Sequence, residues 1–338
     1  MYQFLKKIKD VLIYQFHNDD LITIQGNQTI SHLTLLSNDL KLQNKLDHVT
    51  AYDIVIYQNN IFITESNSYD SYLLNLTDHK LIIIKKLEYT LNIKGNDFKN
   101  YYIASAYIGR IKCFILINLE TSKILKKMPI TLGLGFVDFL ISDNLIISAN
   151  SDSLGLFTLD NEKIWTHNIN DILIQEKKGT IRAMKIYNDN VIIVSELGYI
   201  SINIATGKIN WATDGYADVI EVVGNIGYVG TNHSLSKINL DTGLRSGYGW
   251  EYNGFPDFEY NGEKYGAVGY GVIYHEGLLW YAVYDSGQSF IIAINLHDGY
   301  YEWILNVKEA NKIDNLKFHN NRMYIRDVDN NLFVYENI

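Results

Sequence analysis

Nine histidines, one cysteine and several close carboxylate pairs are the residues of this 338-residue chain whose chemistry could be catalytic or metal-binding. His17, His48, His167, His233, His275, His297 and His319 stand singly, most of them beside turn-forming residues. No two are spaced i, i+2 or i, i+4, the separations that aim two imidazoles at one metal. Asp327-Val-Asp-Asn-Asn331 opens like a calcium loop, but Leu332 stands where the sharp turn needs glycine, and Ile338 where a bidentate glutamate would close the shell. A turn between two strands is the better reading. Gly133-Leu-Gly135 lacks the third glycine and the helix of a dinucleotide loop, and there is no Gly-x-Ser-x-Gly elbow. The pairs Asp257/Glu259 and Asp327/Asp329 could in principle divide acid and base roles, yet any acidic loop yields such pairs. Cys113, inside Cys-Phe-Ile-Leu-Ile, has no internal disulfide partner and reads as a buried, inert thiol. These residues predict no catalytic group, no cofactor and no metal.

The elements that would have to position such residues are much easier to read. Residues 202–211, Ile-Asn-Ile-Ala-Thr-Gly-Lys-Ile-Asn-Trp, describe one β-hairpin: an apolar strand end, a turn in which Gly207 takes positive φ, and a second strand ending in Trp211. Weaker copies recur. The apolar residue before each turn is Leu36, Leu76, Leu119, Leu159, Ile204, Leu240 and Leu296, at successive separations of 40, 43, 40, 45, 36 and 56. Apart from the last, that is the length of one four-stranded propeller blade. Short apolar runs such as Leu-Ile-Ile-Ser-Ala (145–149) and Val-Ile-Ile-Val-Ser (191–195), separated by Asn, Asp and Gly, are meander strands. No helical period is sustained.

The chain ends complete this picture. The last unit has strands near residues 313–318, 322–326 and 332–335 and then stops, whereas residues 2–8 form a spare strand before the first unit. Pairing the two would seal the ring and cover an open sheet edge. The expected fold is therefore an all-β, eight-bladed propeller with four-stranded antiparallel blades, closed by the N-terminal strand. Seven blades would result if the irregular unit at 89–130 were misread. The whole chain is one domain, interrupted by an insertion at 251–269 that is aromatic and acidic. Long loops in compact domains commonly carry function, and this composition suits an interface, although the loop could equally fold back to cover its own rings.

Charge narrows the partner classes. Residues 1–130 hold 15 Lys and Arg against 12 Asp and Glu, and the remainder 14 against 26, so the net −9 arises entirely in the later part. A nucleic-acid ligand needs a basic footprint and is not expected; a basic protein partner would be favoured, unless the acidity serves only solubility. Lys6, Lys7 and Lys9 precede an apolar run too short for a signal peptide, and no stretch has the apolar length to span a bilayer. A cytoplasmic protein with no membrane insertion is the expectation.

At Thr-Gly-Lys-x-x-Trp (206–211), with echoes at Asp241-Thr-Gly243, at Asp298-Gly299 with Trp303, and at Asp160 with Trp165, the chain resembles the bacterial PQQ-like, quinoprotein-type propeller repeat. The resemblance covers residues 140–305 well and the first 130 by period alone. It implies that Gly207, Gly243, Gly299, Trp165, Trp211 and Trp303 dock neighbouring blades. It also implies that the dehydrogenase branch, with its adjacent cysteines, is excluded by a single Cys113, and the lipoprotein branch by the lack of a lipid-bearing cysteine. What is left is a non-catalytic binding propeller, most specifically an immunity protein that binds and neutralises a basic toxin domain through Tyr252, Phe255, Asp257, Phe258, Glu259, Tyr260 and Tyr265. The alternatives are an enzyme or small-ligand binder using the central channel, and an envelope assembly scaffold.

Overall fold

The computed structural model describes residues 2–338 except 28–30, 48, 50, 66–69, 99–100, 109–110, 129–136, 141–144, 161, 176–177, 232–234, 247–254 and 268. Eight four-stranded antiparallel sheets follow one another along the chain. Blade 1 is Val11–His17, Asp20–Gly26, Ser31–Leu36 and Leu42–Asp47; blade 2 is Ala51–Tyr57, Asn60–Glu65, Ser71–Thr77 and Lys80–Lys86. Blade 3 (Thr90–Phe98, Tyr101–Ile108, Ile111–Asn118, Lys123–Met128) is the unit whose irregular sequence left the count open, and it is a complete blade. Blade 4 is Val137–Leu140, Leu145–Ala149, Ser153–Thr158 and Lys163–Asn168; blade 5 is Ile181–Tyr187, Asn190–Ser195, Gly198–Asn203 and Ile209–Asp214. Blade 6 is Val219–Val223, Ile226–Gly230, Leu235–Asn239 and Arg245–Ser246; blade 7 is Gly269–His275, Leu278–Asp285, Gln288–Asn295 and Tyr301–Asn306. Blade 8 takes Ile313–His319, Arg322–Asp327 and Leu332–Asn337 from the end of the chain and its outermost strand, Tyr2–Ile8, from the beginning. The one helical turn among the described residues, Ile169–Ile172, links blades 4 and 5.

The two middle strands of blade 5 are buried on both faces, so they read as unbroken apolar runs such as Val191-Ile-Ile-Val194. The core is accordingly distributed between blades: one apolar cluster joins Ile22 and Leu35 of blade 1 to Ile61 and Leu74 of blade 2, another joins Ile147 and Leu156 of blade 4 to Ile193 and Ile200 of blade 5, and others continue the series. Leu36, Leu76, Leu119, Leu159, Ile204 and Leu240, the residues that set the repeat, are buried, and Leu296 half-buried. Outer strands are open on one edge. Those of blades 1, 2, 3, 4, 5, 7 and 8 each carry a β-bulge, which interrupts the regular edge that another chain could extend.

Closure is more than the strand ladder. Tyr2 packs edge-on to Trp280 at 5.6 Å and beside Trp303 at 5.8 Å, and burial raises its phenol to about 12, with the Glu276 charge adding to the shift. Arg322 bridges from blade 8 to the Asn38 carbonyl of blade 1, and Tyr14 of blade 1 donates to Asn315 of blade 8 at 2.5 Å.

Candidate functional site

The repeated Asn-x-x-Thr-Gly turn is assembled by its own side chains. The Asn203 carboxamide oxygen accepts from the Thr206 backbone N–H and hydroxyl, and Asn239 does the same for Thr242. The glycine N–H then donates to the asparagine carbonyl (Gly207 to Asn203, Gly243 to Asn239, Gly299 to Asn295), and the three glycines take φ of 69°, 72° and 77°. This geometry presents a side-chain-free surface to the preceding blade. Trp165 lies flat on it at Gly207, where a Cβ would come 2.6 Å from the indole Cγ, and its Nε1 donates to the Ile204 carbonyl at 2.8 Å. One blade later Trp211 repeats both contacts with Gly243 and the Leu240 carbonyl.

Sequence reasoning missed the second half of this joint. Two residues beyond each tryptophan, on the same strand face, His167 and Thr213 donate to the Gly207 and Gly243 carbonyls at 2.7 Å. The signal was present as Trp-x-His and Trp-x-Thr, but it has meaning only when the receiving turn is known to lie across a blade boundary. Trp303 departs from the scheme. The third and fourth strands of blade 8 come from opposite chain ends and share no turn, so Trp303 packs on Tyr2 and Trp280 instead.

The insertion forms a two-stranded hairpin, Phe255–Tyr260 with Glu263–Ala267. It lies over blade 7. Phe258 and Tyr265 are each 4% exposed and enclose the fully buried Phe290, at 5.1 and 4.7 Å between ring centroids. A polar line fastens the hairpin: Asn306 donates to Gln288, Gln288 to the Tyr265 hydroxyl, and that hydroxyl to Glu263 at 2.7 Å. The Gly266 N–H donates to Asp285 at the turn beneath. Donation to Glu263, then desolvation, raises the Tyr265 phenol, so the link persists to high pH. Of the interface candidates, Phe258 and Tyr265 are thus packed inward and cannot meet a partner without unfolding the hairpin. Asp257 and Glu259 are exposed and Tyr260 is half-buried. Phe255 stands in the strand opposite Ala267, and Tyr252 lies outside the described residues.

Several charged groups on the innermost strands of blades 5, 6 and 8 are matched across neighbouring blades. Arg182 of blade 5 reaches Asp218 before blade 6 at 3.7 Å, Lys185 reaches Glu221 at 3.8 Å, and Glu221 accepts from the Tyr274 N–H of blade 7. Lys317 of blade 8 donates to Gln15 and the Tyr14 carbonyl of blade 1. These partners fasten blades pairwise around the axis. Among the described residues no three of His, Cys, Asp or Glu stand together as a metal site. Asp327, buried, accepts from the N–H groups of Asn311, Asp329 and Asn331, so both its oxygens build the turn of blade 8, as its sequence suggested.

No protein-family model matches the sequence, and no curated protein matches it. Solved structures do. BamB from Moraxella catarrhalis is similar over 99% of this chain and 98% of its own, with a TM-score of 0.67 at 11% identity. The WD40 β-propeller domain of Doa1 is similar over 99% and 97%, with a TM-score of 0.53 at 10% identity. At such identities the likeness establishes the propeller fold.

Proposed function

We propose that this propeller is a non-enzymatic protein-binding module of the cytoplasm, and that it neutralises a basic toxin domain by occluding it with its acidic side. The observation that carries this reading is the hairpin: Phe258 and Tyr265 are locked onto Phe290, so Asp257 and Glu259 project from a fixed scaffold. Fixed carboxylates lose little freedom on binding and accelerate the approach of a cationic partner. The net charge of −12 in residues 131–338 extends the same field over blades 4–8. No helix among the described residues is long and apolar enough to cross a membrane. The channel reading draws less support, because Arg182, Lys185, Glu221 and Lys317 on the inner strands of blades 5, 6 and 8 are engaged between blades.

The test is a charge reversal. Wild-type protein immobilised in extract of its source cell should retain a basic polypeptide that is toxic when expressed alone and tolerated when co-expressed. The Asp257→Lys/Glu259→Lys variant should melt like wild type yet bind that polypeptide roughly tenfold or more weakly, with a shallower salt dependence. Equal affinity of the variant would remove the hairpin from the interface. A retained partner that is acidic, or harmless alone, would remove the toxin reading.

A further inference from the structure

The rim between blades 7 and 8 carries a groove that ring closure leaves open. Its walls are the closing strand Tyr2–Ile8 and residues 305–309, and its volume is about 820 Å³. From Tyr2 to Lys7, at about 3.3 Å per residue, it runs for roughly 17 Å. Phe4 and Leu5 are 52% and 43% exposed, two adjacent apolar side chains on the protein surface. A β-bulge between Phe4 and Lys6 breaks the alternation of the strand there, and both apolar residues line the groove. The Phe4 ring meets that of Tyr335 at 5.5 Å between centroids, and the buried Tyr335 and Phe333 form the floor. The far end is cationic. Lys7 lies 4.9 Å over the Phe333 ring and 3.2 Å from Glu309, and the neighbouring Lys308 is exposed, with no ion pair to it among the described residues. Lys6 is turned away, donating to the Leu40 carbonyl of blade 1.

We propose that this groove binds a straight apolar chain ending in a carboxylate, the chemistry of a medium-chain fatty acid. The chain would lie along Phe4, Leu5 and Leu305, with its carboxylate between Lys7 and Lys308. The volume is that of a small-ligand site, and its apolar length and cationic end match the two halves of such a molecule. Lys7 and Lys308 outnumber Glu309 at that end, so one bound carboxylate sets two anions against two ammonium groups. An uncharged or cationic amphiphile would leave Lys308 without a counter-charge. A polypeptide adding to the edge of Tyr2–Ile8 would meet the bulge at Leu5, where the regular ladder is broken. Because one wall is the closing strand, the ligand binds only the sealed ring and stabilises it.

The probe is octanoate, titrated into the full-length protein by calorimetry, with octan-1-ol and octyltrimethylammonium as controls. Saturable binding of one octanoate per chain is expected, about tenfold or more tighter than either control. Affinity should rise about two- to fourfold per added methylene from hexanoate to decanoate, and the melting temperature should rise with ligand concentration. The Phe4→Ser/Leu5→Ser variant, which changes only exposed side chains, should bind octanoate about tenfold or more weakly. Lys308→Glu, also at an exposed position, should do the same and lose the preference for octanoate over octan-1-ol. The unliganded melting temperature of each variant reports whether it is folded. Binding that does not saturate, that leaves the melting temperature unchanged, or that neither variant weakens would overturn the site. Equal binding of octan-1-ol by the wild type would overturn the role given to the carboxylate. A concentration-dependent dimer that Phe4→Ser/Leu5→Ser abolishes, without octanoate binding, would assign the groove to a second copy of the chain and overturn the proposal.

Discussion

Gly207 and Trp165 show how one residue's conformation is tied to a neighbour 42 positions away. The glycine serves two needs, a φ of 69° for the turn and bare space for the indole. Gly262, with a φ of 82° and nothing within 4 Å of a built Cβ, has only the first need. Gly207→Ala should therefore cost the left-handed strain of roughly 1–2 kcal/mol plus about 1–3 kcal/mol for displacing Trp165, whereas Gly262→Ala should cost the strain alone. Denaturant unfolding of the two variants measures the difference; equal losses would show that the indole does not need the bare glycine. The turn glycine and the tryptophan were legible in the sequence because both recur. His167 and Thr213 were not, since their partner is a backbone carbonyl in the next blade.

Pairs of elements carry the next level of organisation. The hairpin at 255–267 was recognisable as an insertion because it broke the period, and its aromatic content was recognisable too. Which rings face inward was not, because that depends on Phe290 lying beneath them. Blades 7 and 8 meet in a similar way where His275 stacks on Phe318 at 4.0 Å between centroids, and Trp280 donates to the His275 carbonyl. Desolvation there lowers the imidazole pKa below its usual 6.5, partly opposed by Glu276, 3.8 Å from Nε2. The unfolded chain binds that proton more readily than the folded one, so the contribution to stability is complete above pH about 6.5 and falls as pH drops below it. Wild type should lose melting temperature between pH 7.5 and 5.5. His275→Gln should flatten that slope while starting lower, and parallel slopes would show that this histidine does not titrate between the two states.

At the scale of the whole molecule, ring closure and charge polarity dominate. The Tyr2–Ile8 strand supplies one ladder of blade 8 and the phenol ring that packs against the touching pair Trp280 and Trp303. Its removal would expose the strand Leu332–Asn337 as a bare edge and open the apolar cluster shared by blades 7 and 8. Deleting residues 2–8 should thus cost several kcal/mol, from Tyr2 burial alone about 2–3, and leave an aggregation-prone ring. A synthetic peptide of residues 1–9 should restore the melting temperature in a concentration-dependent way. An unchanged melting temperature in the truncated chain would mean that the ring does not depend on this seal.

The amino-acid sequence by itself determined the repeating unit and the way the ring closes, while the count stayed between seven and eight until blade 3 was seen complete: period, turn chemistry and the spare strands at the two termini are local patterns, and a repeat fold is built from local patterns added in series. Tertiary structure alone decided which side chains remain available. Whether Phe258 faces a partner or Phe290, whether inner-strand charges converge or pair, and whether Phe4 and Leu5 are covered all depend on what another blade places opposite them. That placement is a property of the closed ring, because each contact spans a blade boundary that no spacing along the chain encodes.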